Sequence, residues 1–258
     1  QSVTDRVSGR TVYPASKNEQ RPAKTDTYYE EELDGVKGPS PFLGVQRPSE
    51  FRIDVMHMWG AGLCKRLLTL LFRGEELKNR GHMFSANAKR VIEQDLGNIK
   101  LPRCLPLTRT DMSLKGSWKC KFNLLFFLHF IPLLMPFLSK RKVTNLLQLS
   151  SVIYLFGSAY HISASSIAVI EKLLENFSQN FENIWGATES TINFHYTSCH
   201  ILDACIDDSF ISPFAYSCFP FESYMSSIMR SMHGTVGSLK QSARNLYIKI
   251  QGSALSPK

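Results

Sequence analysis

The stretch FRIDVMHMWGAGLCKRLLTLLF (51–72) is the main determinant of the predicted fold class, because its apolar spacing changes from a strand pattern to a helix pattern. Alternating apolar residues in its first five positions predict a short strand, and the leucines of its second half recur at helical spacing. Asp54 and His57 fall at the change from strand to helix, a point where open α/β folds place ligand-contacting residues. Asp-x-x-His is a short and common pattern, so a packing or capping role stays open.

Outward from this stretch, apolar periodicity predicts a mainly α fold with a small α/β part. Residues 1–50 are rich in Pro, Gly, Ser and charge, and we expect them to form an extended, partly ordered arm in which GRTVYP (9–14) fits a short strand. Helices are predicted over 85–97, 143–162, 163–181, 191–206 and 238–250. Ser85 or Asn87 is expected to begin the helix at 85–97, and Gly157 to break the helix at 143–162.

The run from Phe122 to Leu138 is almost wholly apolar, which raises the question of a membrane span. Its 17 residues are at the lower limit for a span, it contains two prolines and His129, and basic residues flank both ends without giving an orientation. We expect a helix buried on all sides inside a larger α-rich domain, and a membrane anchor is the alternative.

The formal net charge of +8 suits an anionic partner such as nucleic acid or a membrane surface. Residues 1–50 hold seven basic and eight acidic side chains, so the excess lies after residue 50. Lys240, Arg244 and Lys249 lie on the outward face of the last predicted helix and are candidate DNA contacts. The six cysteines form no CxxC pair, which argues against a zinc ribbon and a dense disulfide framework and favours a reducing, cytoplasmic setting with free thiols.

The segment IWGATESTINFHYTSCHILDACIDDSFISPFAYSCFPFESY (184–224) is dense in side chains able to do chemistry. Two histidines and two cysteines within it could bind zinc, but their spacing matches no standard ligand pattern. On a helix, His195 and Cys199 share a face with Leu202, which favours burial. Asp207 closes that helix together with a second acid, an electrostatically poor position that makes Asp207 a candidate supporting residue.

Glu222 directly follows the aromatic and proline residues Phe219, Pro220 and Phe221. A helix that begins near Pro220 would hold Glu222 in its first turn, where a carboxylate is favourable, and would bury one apolar stripe. The alternative is a metal-binding or acid/base Glu222 held rigidly by the packed rings of Phe219 and Phe221.

Several blocks, in this order, resemble the transposases of CACTA-type (En/Spm-like) DNA transposons. GRTVYP, RPAKTD and SPFL are similar to a stretch that follows cysteine pairs in that family. FRIDVMHMWGAGLCKRLL is similar to its Asp-x-Met-His block, and LPRCLPLTRTDMSLKGSWKCKFNLLFFLHFIPLLM resembles the block in which a Trp-Lys pair precedes an apolar helix. INFHYTSCHILDACIDDSFISPFAYSCFPFESYMSSIM resembles the closing block with its Phe-Pro-Phe-Glu. The match runs through nearly the whole chain.

This resemblance implies an incomplete RNase-H-like core interrupted by an α-helical insertion. The implied parts are an arm (1–50), a strand–helix core element (51–84), the insertion (85–183) and C-terminal helices with the final acid (184–258). The family cuts and joins DNA by phosphoryl transfer, with three carboxylates that hold two divalent metal ions. Carried over, Glu222 is the final catalytic acid and a metal ligand, and Asp54 with His57 is a supporting element in which Asp54 also contacts metal.

The resemblance further implies DNA as partner, together with other transposase subunits, and a nuclear location. Mg²⁺ or Mn²⁺ would be the cofactor if the site is complete. The family's first acid and its cysteine pairs have no counterpart and would lie before Gln1, so we expect a transposase-derived fragment that does not cleave DNA alone. The alternative is a non-enzymatic DNA- or protein-binding remnant, and a membrane-anchored protein is a third hypothesis.

Overall fold

In a computed structural model, the structure describes residues 3–4, 11–13, 52–77, 81–99, 120–230 and 244. The side chains of residues 3–4 and 227–230 fall outside this description. Two compact units, residues 1–216 and 217–258, follow one another along the chain. The expectation of a mainly helical protein is confirmed, since strands in the described part are limited to one two-residue pair.

The strands β1 (Val3–Thr4) and β2 (Thr11–Val12) pair antiparallel, which confirms a strand within GRTVYP. The described α-helices are α1 (Cys64–Arg73), α2 (Ala86–Asn98), α3 (Cys120–His129), α4 (Lys140–Gly157), α5 (Ala164–Trp185), α6 (Ile192–His195), α7 (Ile201–Asp207) and α8 (Phe219–Arg230). Wider π-helical turns at Met56–Leu63 and Tyr196–His200 lead into α1 and α7. Tighter 3-10 turns lie at Gly74–Leu77, Ile131–Phe137, Ala187–Glu189 and Pro213–Tyr216.

The prediction of a short strand before α1 is wrong. Residues 52–54 have no regular structure, and helix begins at Val55. Asp54 is the reason, because its carboxylate accepts hydrogen bonds from the N–H groups of Met56 (3.1 Å) and His57 (3.3 Å). A side chain that satisfies the first N–H groups in this way caps a helix, and the cap outweighs the alternating apolar pattern.

The helices predicted over 143–162 and 163–181 are confirmed as α4 and α5, which pack along each other and form the centre of the core. Gly157 ends α4, and Ser163 begins α5 by accepting a hydrogen bond from Ser166 N–H (3.2 Å). The core is rich in aromatic rings, and the stacked rings of Phe181 and Phe194 have centroids 4.2 Å apart. The predicted helix at 85–97 is confirmed as α2, with a serine cap.

The apolar run from Phe122 to Leu138 is not one helix. It forms α3 and the 3-10 turn at Ile131–Phe137, which meet at a bend of 68°. Pro132 lies at the bend, where its ring removes a backbone donor. The side chains of α3 are mostly buried, but Met135 is 47% exposed, so the expected burial on all sides fails in the second half of the run. Within the described helices, none alone has the length and apolar character to cross a membrane; only this bent pair passes jointly.

Two glycines allow the π-helical turn Met56–Leu63 to approach its neighbours closely. A Cβ atom on Gly60 would lie 2.9 Å from the Cys120 carbonyl oxygen, and one on Gly62 would lie 2.5 Å from the Asn193 side chain. Asn123 of α3 donates a hydrogen bond to the Gly60 carbonyl (2.8 Å). The π-helical turn Met56–Leu63 is therefore packed between α3 and α6.

Candidate functional site

Asp54 and His57 lie together at the start of the helix that leads into α1. The Nδ1 atom of His57 donates a hydrogen bond to Oδ2 of Asp54, because a carboxylate can only accept. The His57 side chain is 61% exposed, whereas that of Asp54 is 17% exposed. The carboxylate thus orients the imidazole on the surface, as expected for an Asp-x-x-His element, while it also caps the helix.

The two-metal chemistry implied by the resemblance requires three converging carboxylates. Asp54 already accepts hydrogen bonds on both carboxylate oxygens. Within the described residues of the 1–216 unit, no three His, Cys, Asp or Glu side chains bring their ligand atoms within 4.8 Å of one another. This part of the chain therefore does not supply a two-metal centre by itself.

Glu222 lies in the first turn of α8, as its sequence context predicts, and belongs to the 217–258 unit. Its N–H donates to the Cys218 carbonyl (2.9 Å). The predicted buried stripe is wrong over the described side chains, because Tyr224 is 44% and Met225 is 41% exposed. Phe221 is 65% exposed, so it does not form the packed aromatic support that a rigidly held Glu222 would need.

Acids close α7, as predicted from the sequence. Asp207 is its last residue and is exposed, and Asp208 follows it. Asp208 pairs with the guanidinium of Arg52, which offsets its unfavourable position at the negative end of the helix dipole. This ion pair offsets the electrostatic conflict for Asp208, and the supporting role of Asp207 stays a prediction.

The predicted inner face of the helix at 191–206 is wrong. The fully buried side chains along it are Phe194, Thr197, Ile201 and Cys205, whereas the expected His195, Cys199 and Leu202 are only half-buried. Tertiary contacts determine which face is buried. The Thr197 hydroxyl accepts a hydrogen bond from Nε1 of Trp59 (3.1 Å) and donates one to the Asn193 carbonyl (2.8 Å). The π-helical turn in the middle of the segment changes the rotation between its two ends.

His195 and His200 form a close imidazole pair, with their Nε2 atoms 3.1 Å apart. The Tyr13 ring stacks on His195 at a centroid distance of 5.0 Å. Burial, and then the neighbouring His200, lowers the pKa of His195 to about 4. Burial also lowers the pKa of His200, against the opposing effect of Asp203. Both rings are therefore neutral at pH 7, and one donates a hydrogen bond to the other.

The predicted DNA contacts lie almost entirely outside the described residues. Arg244 is helical and exposed, whereas Lys240 and Lys249 are not described. The same holds for most of the arm at 1–50, for the Trp-Lys pair at 118–119, and for the rest of the helix predicted over 238–250.

Sequence reasoning missed the ion pair between Arg66 of α1 and Glu189. Nε of Arg66 lies 2.5 Å from Oε2 of Glu189, whose side chain is 1% exposed. The two residues are 123 positions apart, so no local pattern marks them. Their pairing matters because it joins the stretch at 51–72 to the segment at 184–216.

Part of the Asp-x-Met-His block and the first part of the closing block therefore meet inside the 1–216 unit, where Trp59 bonds to Thr197. Arg66 of the former block pairs with Glu189, which shortly precedes the closing block. When the chain is compared with known proteins, no protein-family model, no curated protein and no solved structure matches it.

Proposed function

We propose that this chain is a transposase-derived protein that retains part of an RNase-H-like catalytic region, binds DNA and does not cleave it alone. One observation carries the proposal: the Asp-x-Met-His block packs against the first part of the closing block. Trp59 and Thr197 are 138 positions apart and bond within the buried core. Parts of one inherited catalytic region are expected to meet in this way, although an insertion separates them along the chain.

The charge distribution supports DNA as the partner. Residues 217–258 contain five basic side chains and one acid, Glu222. Arg244, one of the five, is exposed on helical backbone. Lys and Arg side chains that neutralise DNA phosphates release counterions, so binding of this kind weakens steeply as salt rises.

The chain is expected not to cleave DNA alone, because too few of its carboxylates converge on one point. Asp54 is engaged as a helix cap, and the described part of its unit brings no three metal-ligand groups together. Glu222 is the best candidate for an inherited metal ligand, and Mg²⁺ or Mn²⁺ would bind productively only if further carboxylates are supplied. Other transposase subunits, which the resemblance implies as partners, are the natural source of those acids.

The test measures binding and cleavage on the same duplex DNA. Fluorescence anisotropy at about 50 and 200 mM salt should show a loss of affinity of tenfold or more, since several phosphate contacts are released. The end-labelled duplex should remain intact with Mg²⁺ or Mn²⁺. Undetectable or salt-independent binding would refute DNA as the partner, and metal-dependent nicking would refute the inactive part of the proposal. A fluorescent fusion should accumulate in the nucleus.

A further inference from the structure

The side chains of His195 and His200 meet although the two residues are five positions apart. In a regular α-helix, residues five positions apart point about 140° away from each other, so the two rings would lie on different faces. The π-helical turn Tyr196–His200 lies between them, and its wider turn brings the chain back to the same side after about five residues. Such turns inside helices are rare and occur frequently at functional sites. The local backbone therefore pairs two imidazoles that the sequence spacing alone would separate.

The geometry of the pair fits two ligands of one metal ion. The Nε2 atoms of His195 and His200 are 3.1 Å apart, and the ring centres are 4.7 Å apart. A linear N–H···N hydrogen bond of this length would hold the ring centres roughly 5.4 Å apart, so the observed contact is bent. Two imidazoles that bind one Zn²⁺ at about 2.0–2.1 Å, in neighbouring coordination positions, have Nε2 atoms roughly 2.9–3.4 Å apart and ring centres roughly 4.5–5.2 Å apart. Both observed distances fall within these ranges.

Contacts with neighbouring segments hold the pair in place. The Tyr13 ring stacks on His195 with the two planes 17° apart, and the N–H of Tyr13 donates to the Ser190 carbonyl oxygen (2.6 Å). Thr197, within the π-helical turn, is completely buried and accepts a hydrogen bond from Nε1 of Trp59 (3.1 Å). Because these contacts already order the backbone and one ring, little conformational freedom is left to lose when an ion binds.

The Nε2 atoms of both rings are available to an ion. His195 and His200 are only half-buried, so an ion can reach them from solvent. Nδ1 of His195 has no hydrogen-bond partner within the described residues, so no neighbour there fixes the tautomer that keeps the ring hydrogen on Nε2. The carboxylate of Asp203, which is exposed, favours positive charge at His200. The surroundings of the pair therefore suit a cation.

We propose that the Nε2 atoms of His195 and His200 bind one Zn²⁺ ion, with water in its remaining coordination positions. Zn²⁺ binds imidazole nitrogen readily, whereas Mg²⁺ prefers oxygen ligands. The ion replaces the bent hydrogen bond between the rings, and the hydrogen of the donor ring moves to its Nδ1, so no proton is released. Among the described residues, no third His, Cys, Asp or Glu ligand atom lies within 4.8 Å of both Nε2 atoms, which leaves the ion open to exchange. The inference is independent of the proposed DNA binding and of the carboxylates.

The test is calorimetric titration of the full chain with Zn²⁺ at pH 7 under reducing conditions. We expect binding that millimolar Mg²⁺ does not displace, because Mg²⁺ competes poorly for nitrogen ligands. His195→Gln and His200→Gln should each weaken Zn²⁺ binding about 10-fold or more, since each removes one of the two protein ligands. His161→Gln, which removes an exposed imidazole outside the pair, is the matched control and should bind as the parent does. His57→Gln and Cys199→Ser, which remove other potential ligands, should also bind as the parent does.

Absence of Zn²⁺ binding to the parent chain would overturn the proposal. Displacement by Mg²⁺ would do the same, as would loss of binding in His57→Gln or Cys199→Ser with unchanged binding in both variants of the pair. If neither variant of the pair folds, nitrogen-15 NMR of the histidine side chains in the parent chain decides. Zn²⁺ should then shift the Nε2 resonances of His195 and His200 together and leave that of His161 in place. A shift in neither ring of the pair would contradict the assignment.

Discussion

Arg66 and Glu189 form an ion pair, buried at Glu189 and part-buried at Arg66, that links α1 to the segment before α6. The Arg66 Nε and Glu189 Oε2 atoms are 2.5 Å apart, and the Glu189 side chain is 1% exposed. A buried charge that loses its partner is costly, whereas an apolar pair of similar size is often tolerated. Loss of one partner of this pair should therefore destabilise the 1–216 unit.

Replacing Arg66 alone should destabilise the protein strongly. We expect Arg66→Met to lower the free energy of unfolding by about 3–5 kcal/mol, because Glu189 stays buried without its counter-charge. The double variant Arg66→Met with Glu189→Met should recover much of that loss. Urea unfolding followed by circular dichroism measures both, and a single-variant cost below about 1 kcal/mol would contradict the pairing.

Gly62 should tolerate no side chain. A Cβ atom there would lie 2.5 Å from the Asn193 side chain and 2.7 Å from the His57 carbonyl oxygen, so Gly62→Ala should cost about 1–3 kcal/mol of stability. Gly97 is the matched control, because it lies inside α2 with no atom within 4 Å of its own Cβ position. Gly97→Ala should stabilise the protein by roughly 0.5–1 kcal/mol. Equal effects of the two changes would argue against the close approach.

Asp54 should act as a helix cap in the isolated chain. Asp54→Ala should lower the free energy of unfolding by about 0.5–2 kcal/mol, and Asp54→Asn, which is an equally good cap, should leave it nearly unchanged. Thermal unfolding with and without Mn²⁺ separates capping from metal binding. A metal-dependent stabilisation that is lost in Asp54→Asn would show that the carboxylate binds metal.

Stability should fall as the solution becomes acidic, because of the His195 pair. The folded-state pKa of His195 is about 4, below its usual value of 6.5, so the unfolded chain binds more protons between these values. Stability is therefore full above pH 6.5 and declines towards pH 4. Since the ring is half-buried and partly screened by solvent, the decline attributable to it should be on the order of 1–2 kcal/mol.

The variant that checks this decline is His195→Gln, compared by urea unfolding at several pH values. It should flatten the dependence of stability on pH relative to the parent. His161 is exposed, so His161→Gln should leave that dependence as it was. His82 and His200 also have lowered pKa values and contribute in the same direction, so some decline should persist in His195→Gln. An unchanged slope would contradict the assignment.

Neutralising the basic residues of the C-terminal unit should weaken DNA binding evenly over different sequences. Replacing Lys240, Arg244 and Lys249 together by Gln should lower the slope of log affinity against log salt by about 3, roughly 0.9 for each lost phosphate contact. Anisotropy titrations over a salt series measure the slope. The charge-matched control, Gln at the exposed Lys65, Lys121 and Lys172 of the first unit, should leave it unaltered.

Local signals were enough to place most helices. Apolar residues three and four positions apart located α2, α4 and α5, a serine cap marked the start of α2, and the aromatic–proline sequence before Glu222 located the start of α8. These features act over a few neighbouring residues, so all of them can be recognised in the amino-acid sequence. Charge and block order also led to the proposal of a DNA-binding, transposase-derived protein, which stays a prediction.

Tertiary structure decided what local patterns left open or misjudged. The helix after Asp54 replaces a predicted strand, and a bend of 68° divides the apolar run after Phe122. The Arg66–Glu189 pair depends on side chains 123 positions apart, and the Trp59–Thr197 hydrogen bond on side chains 138 positions apart. Such contacts form only when distant segments are folded together, because burial and pairing energies depend on which surfaces meet. The sequence by itself thus determined most of the helices through local caps and apolar spacing, and tertiary packing decided the remaining breaks and which side chains the helices bring together.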